Sequence, residues 1–146
     1  MKEIQQAAGI AADRLIATEV AIQDKMWGDA NERADSTKNQ LLGAGIAQLM
    51  LLSAKLDGET ADFALEVGQS FYPADWDGFR DYGSNVANLV VAAAFIRSEI
   101  KRRLLLGEDT TRAKRGEPYT AATPYVSSEE AAQAINGYDG GEIFQH

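Results

Sequence analysis

Cysteine is absent from this 146-residue chain, and histidine occurs once, at the terminal position His146. Without cysteine there is no disulfide frame, thiol nucleophile or thiolate metal site, which fits a reducing compartment. With one terminal histidine, a Ser-His-Asp triad, a histidine proton shuttle and a His-rich metal site are all disfavoured. Positive charge is also short: 14 Lys and Arg stand against 22 Asp and Glu, a formal net charge of −8. Such a field repels nucleic acid and anionic membrane, and suits a basic protein groove instead. Long apolar runs are missing as well. Leu49 to Leu52 and Leu89 to Ile96 are far too short to span a bilayer, and Met1-Lys-Glu-Ile-Gln5 does not open a signal peptide. The expected location is therefore the cytoplasm. There is no Gly-x-x-x-x-Gly-Lys-Ser/Thr loop, no Gly-x-Gly-x-x-Gly fingerprint and no basic aromatic stripe for RNA.

What the chain does carry is helical periodicity. A chain of this length has room for one core and for burial of roughly two-thirds of its unfolded surface. Ile4, Ala8, Ala11, Leu15, Ile22 and Met26 recur at helical spacing, with Gln5, Asp13, Arg14, Glu19 and Asp24 off the stripe, and this predicts an amphipathic helix over 4–26. Trp27-Gly28 ends it. Asp35 or Ser36 is positioned to cap a second helix, whose expected buried stripe is Leu41, Leu42, Gly45, Ile46, Leu49, Leu52 and Leu56. Gly43 and Gly45 weaken that helix in isolation, so they mark the close approach of a neighbouring helix or a ligand. Lys55-Leu-Asp-Gly58 closes the segment. A short helix is expected around 62–67, followed by the aromatic loop Phe71-Tyr-Pro-Ala-Asp-Trp-Asp-Gly-Phe79.

The strongest pattern runs over 84–106, with Leu89, Ala92, Ala93, Ile96, Ile100 and Leu104 as its expected buried stripe. Lys101-Arg-Arg103 complements the dipole at its C-terminal end. From Gly107 onward the pattern stops, until Ser127-Ser-Glu-Glu130 offers a capping box for a short helix over 128–135. The expected organisation is an all-α domain over 1–106, a helical bundle of three principal helices plus short ones, and an irregular C-terminal tail over 107–146. Tyr119, Tyr125, Ile135, Tyr138, Ile143 and Phe144 give that tail apolar anchors for docking on its own core or on another subunit. Amphipathic helices this few leave apolar stripe uncovered, so a homo-oligomer is expected.

The most informative stretch is Ile22-Gln-Asp-Lys-Met-Trp-Gly-Asp-Ala-Asn-Glu-Arg-Ala-Asp35, a polar joint between two buried-face helices. Carboxylates remain the only groups for metal-assisted chemistry. Asp75 with Asp77, Asp29 with Glu32 and Asp35, or Glu129 with Glu130 can hold Mg²⁺ through oxygen, or can be solvated and capping groups.

The run Gln23-Asp-Lys-Met-Trp-Gly-Asp29, the polar joint, the aromatic loop and Asn88-Leu-Val-Val-Ala-Ala-Ala-Phe-Ile-Arg-Ser-Glu-Ile-Lys-Arg102 together resemble small phage and prophage proteins. That group is distantly similar to MazG-type nucleotide pyrophosphohydrolases, and the resemblance covers residues 12–106. In the catalytic pattern, Glu-Glu-x-x-Glu on one helix and Glu-x-x-Asp on a later one hold Mg²⁺ against a nucleoside triphosphate. Here the resemblance brings Gly43, Ala44 and Ala47 to the first set, and Asn85-Val-Ala-Asn88 to the second. It implies a MazG-like fold from which the acidic metal motif is lost.

A site without carboxylates no longer repels phosphate. Asn85 and Asn88 then offer donors to phosphate, ribose or base edges, while Arg33, Lys38 and Arg80 offer charge-assisted contacts, and Trp27 and Trp76 offer rings for stacking. Asp29 and Asp35 complete the expected ligand-binding set. Each has a plainer role open to it: the tryptophans as core plugs, Ser84 and Asn85 as helix caps, Asn88 as a partner of a neighbouring loop backbone. Three functions follow. The leading one is non-catalytic sequestration of a nucleotide or nucleotide-derived signal, without cofactor, as a phage counter-defence acting in the host cytoplasm. The second is a pyrophosphohydrolase requiring Mg²⁺ and using Asp29, Glu32, Asp35, Asp75 or Asp77. The third is an acidic inhibitor or adaptor of a host protein with a basic groove.

Overall fold

Side-chain oxygens start two of the four helices among the described residues. A computed structural model describes residues 1–29, 39–114 and 116. Among these the elements are α1 (Lys2–Trp27), α2 (Gln40–Leu56), α3 (Ala61–Gln69) and α4 (Asn85–Leu105), with no strand. Thr60 Oγ1 accepts from the Phe63 amide at 3.2 Å and caps α3. Ser84 Oγ accepts from the Ala87 amide at 3.0 Å and does the same for α4. α2 follows Asn39, whose backbone is left-handed. The expected caps Asp35 and Ser36, and the expected helix over 128–135, lie outside the described residues.

The helix C-termini are closed by backbone geometry. After α2, the Gly58 amide donates to Lys55 O and the Glu59 amide to Ala54 O. After α4, the Gly107 amide donates to Leu104 O and the Glu108 amide to Arg103 O. Both glycines sit at positive φ, +86° and +76°, which this paired closure requires and which a Cβ would oppose. The chain divides into units 1–99 and 100–146, with the boundary inside α4. In the second unit an Arg103–Glu108 ion pair at 2.9 Å spans the helix end.

In the first unit α2 and α4 run antiparallel: Lys55 meets Gly83, Gln48 meets Asn88, and Gly45 faces Ala92 and Ile96. Small residues make that approach possible. A Cβ on Gly45 would stand 3.0 Å from Ile96 Cγ1. The core between them holds Leu41, Ala44, Ala47, Tyr72, Val91 and Phe95, with Trp27, Trp76, Phe79 and Tyr82 packed against it. A second cluster, Leu51, Ala54 and Ala64, seats α3 on α2. No helix of the described residues is long and apolar enough to cross a membrane.

The expected buried stripes are only partly buried. Along α1, Ile4, Leu15, Ile22 and Met26 are exposed, and the one buried side chain is Gln23. On α2, Leu41, Gly45 and Leu52 are buried as expected, but Leu42, Ile46, Leu49 and Leu56 are exposed while Ala44, Ala47, Gln48 and Leu51 are inside. On α4, Ala92 is buried, whereas Leu89 and Ile100 are exposed and Asn88, Val91, Ala94 and Phe95 are inside. Periodicity marks a face that packs on some helix; it does not say whether that helix belongs to the same chain. Within the chain, close approach selects the small residues.

Gly68 shows how tight the α2–α3 contact is. A Cβ there would lie 2.3 Å from Phe79 Cζ and 2.9 Å from Ala47 O. Gly68→Ala is therefore expected to destabilise the protein by about 1–3 kcal/mol through overpacking, measured as a lower denaturant midpoint at unchanged slope.

Candidate functional site

Of the residues proposed from sequence as a ligand site, Trp27, Trp76, Arg80 and Asn88 fall into two neighbourhoods of the first unit. One is a buried polar network. Asn88 is 0% exposed, and its Oδ1 accepts from Gln48 Nε2 at 2.8 Å and from the Tyr82 amide at 3.0 Å. Its Nδ2 donates to Asp81 Oδ1 at 2.9 Å, and Gln48 Nε2 also reaches Arg80 O at 3.0 Å. Asp81 in turn accepts from the Gly83 amide at 2.8 Å and pairs with Lys55 at 2.7 Å. A side-chain amide inside a helix pair must be satisfied there, and this one ties α2, the 80–83 loop and α4 together.

Asn88 thus takes the loop-bonding role of the two that sequence left open. Asn85 is exposed at the start of α4, beside the Ser84 cap. Ala44 and Ala47 are fully buried in the same core.

The second neighbourhood is aromatic. Trp27 stacks on Phe95, with ring centres 6.4 Å apart and 14° between the planes. Trp76 lies 6.4 Å from the same Phe95 and meets Tyr72 edge-on at 6.2 Å. Tyr72 continues to Phe79 at 5.1 Å, and its hydroxyl donates to Asp77 O at 3.2 Å. Phe95 from α4 is therefore shared by two tryptophans that are far apart in the chain. Both tryptophans remain partly exposed while packed on the core, so each plugs the core and offers an accessible edge.

Polar groups flank these rings. Gln23, one helical turn before Trp27 on the same face of α1, is 1% exposed, and neither Nε2 nor Oε1 has a hydrogen-bond partner. Glu19 lies one turn earlier. It is close enough for the Gln23 amide to act on its carboxyl. Burial raises the Glu19 carboxyl above its ordinary value, opposed by the Gln23 amide and the Arg80 charge. The Arg80 guanidinium stands 4.5 Å over the Tyr82 ring. Nearby in the chain, Gln40 Nε2 donates to both Asp75 oxygens at 3.0 and 3.2 Å, and the two residues line an open cleft of about 450 Å³ with Pro73 and Ala74.

The structure thus brings Trp27 and Trp76 to Phe95, sets Arg80 over Tyr82 and assigns Asn88 to the interior. Asp29 is exposed just beyond α1. Arg33, Asp35 and Lys38 lie outside the described residues. Sequence reasoning missed Gln23, Gln48 and Asp81. The available signal for Gln23 was its i, i+4 relation to both Glu19 and Trp27, which puts a polar side chain on an aromatic-bearing face. Among the described residues, no group of three or more acidic or histidine side chains is gathered for a metal ion. No family model, characterised protein or solved structure matches the chain.

Two predictions test the network. Asn88→Ala leaves Gln48, Tyr82 and Asp81 without their buried partner, so it is expected to cost about 3 kcal/mol in urea unfolding. For Asp81, burial alone would raise the carboxyl, but hydrogen bonds from Asn88, Lys55 and the Gly83 amide, together with the Lys55 charge, bring it down from 3.8 to about 2. Its contribution is then fully present above pH 3.8 and lost as the pH falls through about 2. The stability gap between the native chain and Asp81→Asn should shrink over that interval. A gap that stays constant through it would show that the carboxylate is not held by these partners.

Proposed function

We propose that this chain is a non-catalytic binding protein that captures a nucleotide or nucleotide-derived signal. The observation that carries the reading is Gln23: a buried amide without hydrogen-bond partners, one turn from a tryptophan stacked on Phe95. A side-chain amide offers two donors and one acceptor, the complement of a base edge, and leaving them unmade inside a protein costs about 1–3 kcal/mol. That cost is recovered when a ligand supplies the partners. The partly exposed tryptophans suit a planar base, and Arg80 suits a phosphate or ribose oxygen.

The resemblance to MazG-type proteins supports the same ligand class. It also supports the lack of hydrolysis, since Gly43, Ala44, Ala47, Asn85 and Asn88 stand where that pattern needs carboxylates. In a phage setting, holding the intact ligand would blunt a host defence signal. The acidic inhibitor reading rests on the net charge of −8 and predicts salt-sensitive capture of a basic protein without a small ligand.

The test incubates the protein with nucleotides, cyclic dinucleotides and ADP-ribose derivatives, with and without Mg²⁺ or Mn²⁺. Filtrate and heat-denatured protein are then analysed by chromatography with mass detection. Intact ligand recovered on heating is the expected result. Metal-dependent products would instead make the chain a pyrophosphohydrolase. Gln23→Leu separates binding from folding: it should weaken capture by tenfold or more while stabilising the free protein by about 1 kcal/mol, because the unpaired amide is gone. If Gln23→Leu binds as well as the native chain, the assignment of this residue is wrong.

A further inference from the structure

Two Asp-Gly pairs lie among the described residues, Asp57-Gly58 at the end of α2 and Asp77-Gly78 in the aromatic loop. Asp-Gly is the peptide pair most open to ring closure, in which the glycine nitrogen attacks the aspartate side-chain carbon. Glycine permits the attack because no Cβ shields that nitrogen. The two pairs are matched in most respects. All four residues are exposed, and both glycines stand at positive φ, +86° and +90°. Among the described residues, no protein donor holds either carboxylate. A third Asp-Gly at 139–140 and Asn136-Gly137 lie outside the described residues.

They differ at the nitrogen. The Gly58 amide donates to Lys55 O at 3.0 Å inside the closure of α2, and Asp57 continues the helical turn, its own amide donating to Ser53 O at 3.0 Å. Attack by the Gly58 nitrogen therefore requires the helix cap to open. Among the described residues, nothing accepts from the Gly78 amide. The loop is held by the rings on either side of it instead: Trp76 packs on Phe95 and Tyr72, and Phe79 packs on Tyr72 and Gly68.

We infer that Asp77-Gly78 is a site of isoaspartate formation, a slow covalent change of the folded chain from which Asp57-Gly58 is protected. In the first step the Gly78 nitrogen gives up its proton and bonds to Asp77 Cγ, and one carboxyl oxygen leaves as water, which closes a five-membered succinimide. Water then opens the ring. Cleavage of the N–Cγ bond restores aspartate, while cleavage between the nitrogen and the main-chain carbonyl carbon leaves the chain running through Cγ. The water lost in the first step is regained in the second, so the change needs no other reactant. Its product lengthens the main chain between Trp76 and Phe79 by one C–C bond, about 1.5 Å. It also turns the Asp77 carbonyl, to which the Tyr72 hydroxyl donates at 3.2 Å, into a free carboxylate outside the main chain. Trp27 is close by as well, since a Cβ on Gly78 would stand 3.9 Å from its Cζ2. Isoaspartate at 77 therefore loosens the aromatic cluster. This inference does not rest on the nucleotide reading.

The experiment holds the full chain at neutral pH and physiological temperature for several weeks, folded and in urea, beside Asp77→Glu, whose side chain is one methylene too long for the five-membered ring. Cleavage after Lys, Arg and Glu places Asp57 in residues 56–59 and Asp77 in residues 67–80, and electron-transfer fragmentation then reads isoaspartate in each. In the folded chain it is expected to accumulate at 77, and at 57 with about a tenth of that rate or less, the factor that one hydrogen-bonded cap contributes. In urea the two rates should converge. Equal rates in the folded chain, or no isoaspartate at 77, would overturn the inference. So would a ratio that persists in urea, because the difference would then belong to the neighbouring residues and not to the cap. The aged native chain is also expected to lose urea midpoint relative to fresh protein, and aged Asp77→Glu to keep its own. Isoaspartate at 77 with an unchanged midpoint would overturn the loosening of the aromatic cluster.

Discussion

An amide that cannot reach water constrains the whole first unit. Asn88 sits on α4 with no exposure and can be tolerated there only if Gln48, Tyr82 and Asp81 supply its hydrogen bonds. Those bonds fix the axial register of α2 against α4 and fold the 80–83 loop back onto the pair. Through Asp81 and Lys55 they also secure the end of α2. The aromatic cluster depends on this register, because Phe95 meets Trp27 and Trp76 only when α4 is held at this depth. A slide of one turn would move Phe95 by about 5.4 Å and separate the rings.

The same register explains why the chain packs small residues inward. Alanines and glycines let α2 and α4 approach closely enough for a glutamine and an asparagine to bond directly, and bulky residues at those positions would hold the helices too far apart. Bulky residues such as Leu42, Ile46, Leu49 and Leu89 therefore lie on the remaining faces, exposed. Interior polarity and exterior hydrophobicity are two consequences of one close contact.

Gln23 is the counterpart of Asn88. Both are buried amides, yet one is bonded by Gln48, Tyr82 and Asp81 while the other makes no hydrogen bond. Folding has reason to conserve the first and to eliminate the second, since a leucine would fill the volume without an unpaired donor. Under the proposed function, the unsatisfied group one turn from the tryptophan stack finds its partners in what the site receives. Glu19 adds to this, because burial that raises its carboxyl also strengthens any contact made to it.

Local sequence determined the helical class of the described residues, three long helices with a short one, and approximate ends for them apart from the start of α2. Trp27-Gly28, Lys55-Leu-Asp-Gly58 and Ser84 act through backbone and capping chemistry that needs only neighbours in the chain. It also determined that Gly43 and Gly45 mark a close approach, and that Trp76 lies in an aromatic loop between helices. What it could not determine was which face of each helix turns inward. Leu42, Ile46 and Leu49 have the periodicity of a core, and so does the Ala44, Ala47 and Leu51 row beside them. Only the distance at which α4 docks decides between the two, and that distance is set by Asn88 finding Gln48 across 40 residues of chain. The pairing of Trp27 with Phe95 follows from the same docking and has no signature in local sequence.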